Sequence, residues 1–169
     1  SIINNIINEV KSVDKNKRKI ITHSTFKNIC AMLNGKGGQI VIGIRDLPSK
    51  LRSSNNFEFP GIQKDFEILN GGWDELLLYF DDYFKRNVIE YTKFYTHVTL
   101  KEIIFNEKNF LVINIEEPTE KKPCIIIEPK DGAQKSYIRL NASTREMNLS
   151  EIASFKRERN VSEKPAYVY

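Results

Sequence analysis

The chain reads as one mixed α/β domain, an α+β arrangement in which a largely antiparallel sheet is covered by helices. Three stretches predict this. From Phe26 to Asp46 an apolar helical stripe passes through a glycine turn into a β-branched run. Between Tyr95 and Glu116 the apolar period changes to two, the pattern of a hairpin with one buried face. After Asp74 an aromatic amphipathic segment supplies a helix to cover that sheet.

Taken in order, Ile2, Ile3, Ile6, Ile7 and Val10 carry helical spacing, although their β-branching would also suit a strand, and both readings stay open. Asp14 is a candidate N-cap for a helix reaching Leu33, whose last turns carry Phe26, Ile29, Cys30 and Leu33 on one face. Asn34 and Gly35 stop it, and Gly37-Gly38 turns the backbone. Residues 39–45 then read as a strand covered on both faces, broken at Gly43 where something packs against the backbone. The polar run through residue 61 reads as a loop.

Asp74 is expected to cap a helix bearing Leu76, Leu77, Tyr79, Phe80, Tyr83 and Phe84. Tyr95–Phe105 and Asn109–Glu116 form the expected hairpin around Asn106-Glu107-Lys108, although no glycine marks the turn. Cys124–Glu128 reads as another strand, Pro129-Lys130-Asp131-Gly132 as a turn and Tyr137–Leu140 as a short final strand. Ser150-Glu151 opens a last helix containing Lys156, Arg157 and Arg159. The domain therefore spans residues 1–160, with a tail at 161–169.

A length of 169 residues suits one domain that buries about 70% of the surface its unfolded chain exposes. Cys30 and Cys124 sit among apolar residues and read as reduced core thiols, and neither cysteine nor histidine spacing fits a zinc site. No apolar run is long enough for a membrane span, so a cytoplasmic protein without membrane contacts is expected. NGKGG follows a helix instead of opening one, which argues against a phosphate loop for ATP.

The net charge of +4 is unevenly spread: residues 1–36 carry +5 and residues 37–169 carry −1. Lys15, Lys17, Arg18, Lys19, Lys27 and Lys36 thus make a basic helical face, suited to a phosphate backbone or simply to water. Arg139, Ser143, Thr144 and Arg145 interleave guanidinium and hydroxyl groups, a mixture that matches phosphate oxygens. An exposed turn arginine is the plainer alternative. His23 and His97 stand alone on polar segments and lack a hydrolase partner set.

ICAMLN, the following GG and IVIGIRD resemble the signature of the Schlafen-type AlbA-like domain. Glu9-Val10-Lys11 is similar to its E-F-K entry motif, and Gly61-Ile62 with Asp65 to its G-I-x-x-D. Pro123-Cys124 resembles its K-P strand, and Tyr137-Ile138-Arg139 with Ser143-Thr144 its closing motif. The resemblance covers about residues 9–155. It implies nucleic-acid binding, to RNA or DNA. It also implies a possible endoribonuclease activity using Mg or Mn held by carboxylates, since hard divalent ions need oxygen ligands.

On that pattern Glu9 and Asp46 are the metal ligands and, with Lys11, the catalytic set, while Asn4 stands where the family has a further Glu. Nucleic-acid contacts fall to Lys15, Lys17, Arg18, Lys19, Lys36, Arg139, Ser143, Thr144 and Arg145. A single lobe where the eukaryotic Schlafen core resembles two implies a homodimer. A third reading is a protein-interaction module that docks a partner through the acidic aromatic helix at 74–86.

Overall fold

The computed structural model describes residues 23–46, 57–120, 122–141 and 143–162, with the backbone alone at Asp46 and 156–162. The expectations for residues 2–10, for the Asp14 cap and for most of the loop after Asp46 lie outside these residues. Residues 23–33 form helix α1. Then come strands β1 Gly38–Ile42, β2 Arg45–Asp46 and β3 Phe57–Glu58, followed by helices α2 Gln63–Leu69, α3 Trp73–Asn87 and α4 Thr92–Tyr95. Strands β4 Val98–Phe105, β5 Lys108–Ile115, β6 Ile126–Ile127, β7 Gln134–Lys135, β8 Tyr137–Leu140 and β9 Ser143–Glu146 lead to α5 Leu149–Ser162.

The fold is mixed α+β with antiparallel pairing throughout the described strands, as the sequence predicts. A three-stranded sheet has the order β1-β5-β4, and β2-β3, β6-β7 and β8-β9 form two-stranded ribbons. Ile40, Ile113 and Leu100 lie in register across the sheet and face the core. There they meet Phe26, Ile29 and Leu33 of α1 and Phe80 and Phe84 of α3. The Phe26 ring stacks on Phe80 at 5.0 Å and on Tyr83 at 4.4 Å between centroids, locking α1 to α3. Burying each such side chain contributes roughly 1.5–3 kcal/mol, so the apolar stripe of α1 is what holds helices and sheet together.

Several expectations are corrected. β1 is not covered on both faces: it is an outer strand of the described sheet, Gln39 is exposed and Val41 keeps 46% of its surface in water. The run ends at Ile42 because Gly43, at φ +113, takes a conformation that other residues resist, with the Phe110 ring and Gly61 packed where a Cβ would stand. Asp74 lies inside the first turn of α3, whose N-cap is Gly72. The Gly72 amide donates to the Glu75 carboxylate at 2.7 Å.

The first hairpin strand begins at Val98, because Thr92–Tyr95 closes as a helical turn. Its turn is tight without glycine: Asn106 and Glu107 both adopt positive φ, at 48° and 60°, as a two-residue primed turn requires. Only Ile126–Ile127 of the expected Cys124–Glu128 strand pairs as one, and Tyr137–Leu140 is followed by a further strand, β9. The last helix starts at Leu149, one residue before expectation. Asn148 caps it, accepting from the Glu151 amide at 2.8 Å. The α2 helix carried no sequence expectation at all.

Candidate nucleic-acid interface

The end of α1 is tied to the C-terminal ribbons by one buried side chain. Asn34 Oδ1 accepts the Cys124 amide proton at 2.7 Å, while Nδ2 donates to the Tyr137 carbonyl at 2.7 Å and to Ser136 Oγ at 2.9 Å. Ser136 Oγ in turn donates to the Cys124 carbonyl at 2.6 Å, and the Cys30 thiol donates to the same oxygen at 3.1 Å. A hydrogen-bonded buried amide tolerates little movement, because each broken bond would leave a polar group without water. The start of β8 is thereby held beside the 34–37 turn.

That junction leaves an open cleft of about 490 Å³ between residues 32–37 and 138–141, with Lys36 and Arg139 on its walls. Gly37 also lines it, at φ +73, where a Cβ would stand 2.2 Å from the Ile115 carbonyl oxygen. The Arg139 Nη1 donates to Thr144 Oγ1 at 3.3 Å and to Asn28 Oδ1 at 3.4 Å, and Thr144 Oγ1 donates to Asn28 at 2.7 Å. Register pairs Arg139 with Thr144 across β8-β9, which explains why both reach the same helix.

Of the residues expected to bind phosphate, the fold therefore sets Lys36 and Arg139 on one cleft and hydrogen-bonds Thr144 to Arg139. Arg145 is engaged elsewhere: its two terminal nitrogens donate to both Glu151 oxygens at 2.9 and 2.8 Å, which raises the pKa of the guanidinium and lowers that of the carboxyl. Ser143 Oγ donates to the Leu140 carbonyl at 3.2 Å, closing the β8-β9 turn. Lys27 packs its ammonium over the Tyr137 ring, 5.2 Å from the centroid. Lys15, Lys17, Arg18 and Lys19 lie outside the described residues.

The same is true of Glu9 and Lys11. Asp46 is the last residue of β2, and its backbone pairs with Phe57 of β3. Among the described residues no group of three or more His, Cys, Asp or Glu side chains is placed to hold a metal ion.

One cluster was not legible in the sequence. His23, read there as a singleton on a polar segment, is buried with Nε2 2.6 Å from the Glu128 carboxylate, without the alignment of a directed hydrogen bond. The Tyr137 hydroxyl donates to the other Glu128 oxygen. Burial acts to raise the Glu128 pKa, but Tyr137, His23 and Lys27 outweigh it and hold the carboxyl below its usual range. Burial and then Glu128 push the Tyr137 hydroxyl upward, so it remains a donor. His23 and Glu128 are far apart in the chain, and no local spacing could have paired them.

Among the described residues no helix is long and apolar enough to cross a membrane. Neither the curated proteins nor the solved structures include a match to this chain. Residues 7–148 match the family model described as Schlafen, AlbA_2, a span that contains the 34–37 turn, the cleft and the ribbon carrying Arg139. The chain belongs to the Schlafen AlbA_2 family.

Proposed function

We propose that this domain binds RNA or DNA through the phosphate backbone, using the cleft between the 34–37 turn and β8. The observation that carries the reading is the shared cleft of Lys36 and Arg139, two cations far apart in sequence. A lysine ammonium is a mobile point charge, whereas Arg139, steadied by Asn28 and Thr144, presents a directed planar fork. Together they suit a phosphodiester that lies along the opening. Contacts of this kind position a strand without reading its sequence, so binding is salt-dependent and weakly selective.

The excess charge of residues 1–36 supports an extension of the same surface through Lys15, Lys17, Arg18 and Lys19. Self-association would double that surface, which sedimentation at tens of micromolar would report. The test of binding is a mobility-shift titration of labelled RNA and DNA with the wild-type chain and with Lys36→Ala/Arg139→Ala. Binding by the first and marked weakening in the second are expected. Equal affinity in both would place the interface elsewhere.

Metal-dependent cleavage of the bound strand is the second reading, supported by the family match over residues 7–148, the span in which Glu9, Lys11 and Asp46 lie. Its distinguishing observation is product: a binder shifts the labelled strand intact, while a nuclease shortens it only when Mg or Mn is present.

A further inference from the structure

The end of β1 opposite the cleft carries a different chemistry. Phe57, Phe59 and Phe105 keep 53%, 49% and 55% of their surface in water. Lone exposed apolar residues are ordinary, but Phe59 and Phe105 both adjoin Lys108, and Phe57 lies two residues before Phe59. The Lys108 ammonium donates to the Phe59 carbonyl at 3.2 Å, and Lys108 is the register partner of Phe105 at the mouth of the β4-β5 hairpin. The loop that follows Phe59 is fixed to the sheet as well: Gly61 N–H donates to the Gly43 carbonyl at 2.9 Å and Ile62 N–H to the Asn109 carbonyl at 2.8 Å. Phe57 is the register partner of Asp46.

We infer that Phe57, Phe59 and Phe105 around Lys108 form a stacking subsite for unpaired nucleotide bases, which makes single-stranded nucleic acid the preferred ligand of this domain. The inference rests on the proposed phosphate-binding role and narrows its substrate class. Phenyl rings held by a fixed backbone offer base stacking at little ordering cost, and the ammonium among them answers the phosphate that follows each base. A base inside a duplex has both faces occupied and cannot use such rings. The cleft adjoins the Gly38 end of β1, opposite Ile115, and the rings adjoin Lys108 seven residues away along β5, about 23 Å at the rise of a strand, a span that a few nucleotides of single strand bridge.

The test uses a labelled oligouridine and an oligothymidine of about twelve nucleotides and a duplex of the same length, at one salt concentration. The Phe57→Leu/Phe59→Leu/Phe105→Leu variant, which keeps apolar bulk and removes the rings, should lose about tenfold or more in affinity for the single strands and keep its duplex affinity. The corresponding tyrosine variant should retain single-strand binding. Phe59→Trp should bind as wild type and lose indole fluorescence when the oligouridine binds.

Equal losses on single strand and duplex, or no loss on either, would overturn the stacking subsite while leaving phosphate binding intact. Absence of any binding by the wild-type chain would overturn both. If the leucine variant is unfolded by circular dichroism, the quenching of Phe59→Trp decides: no quenching at saturating oligouridine contradicts the inference.

Discussion

Asn34 and Cys124 hold each other from distant parts of the chain: Oδ1 of the amide accepts the Cys124 N–H at 2.7 Å, and Nδ2 lies 3.3 Å from the Cys124 carbonyl oxygen. This side chain joins the end of α1 to the ribbons that carry Arg139. Asn34→Ala would leave the Cys124 N–H buried and unsatisfied, so a loss of about 2–3 kcal/mol in urea unfolding is expected, with weaker nucleic-acid binding as the cleft loosens. A change under about 0.5 kcal/mol would show that the junction does not depend on it.

Gly37→Ala should cost more than Gly132→Ala, although both glycines have similar positive φ, +73 and +70. The backbone strain is shared, at about 1 kcal/mol. Only at Gly37 does the new methyl meet a carbonyl oxygen, that of Ile115 at 2.2 Å, whereas nothing lies within 4 Å at Gly132. Thermal unfolding of the two variants compares the terms directly. Equal midpoints would mean that the turn relaxes freely.

The Glu128 cluster sets a limit on acid stability. Its carboxyl is held below its usual range in the folded chain, so its stabilisation is complete above the unfolded carboxylate pKa of about 4.3 and disappears as the pH falls through the lower folded value. Wild type should therefore lose stability below about pH 4 more steeply than Glu128→Gln, which has no such proton to take up. Parallel acid profiles of the two would remove Glu128 from the account.

The pattern that exposed α1, the hairpin and α3 was local, and so it was legible: apolar spacing reports which face of a helix or strand is buried. Asn34 reads only as a helix stop because its partners, at 124, 136 and 137, leave no trace near position 34. The pairing of Arg145 with Glu151 is not legible in the sequence for a related reason. Cation and hydroxyl spacing shows that a stretch can meet phosphate, but not which cation an acidic neighbour already occupies. The exposure of β1 is not legible because β-branched content is the same in covered and outer strands, and coverage is decided by what packs on each face.

On the cleavage reading the sequence resemblance sets Asn4 in the place of a Glu ligand, one ligand charge fewer, so weak cleavage is expected. Asp46→Asn should abolish any Mg- or Mn-dependent shortening of labelled RNA and leave binding unchanged or tighter, while Asn4→Glu should increase it. Loss of binding in Asp46→Asn with cleavage unaffected would assign Asp46 to the strand end alone.

If Lys36 and Arg139 neutralise phosphates, the dependence of affinity on salt reports it most directly. Each phosphate contact contributes about 0.9 to the slope of log K against log salt on duplex DNA and about 0.7 on a single strand. Lys36→Ala/Arg139→Ala should flatten that slope by up to about two contacts, while Arg145→Ala, already paired with Glu151, should leave it unchanged. An unaltered slope in the double variant, or an equal flattening in Arg145→Ala, would contradict the account.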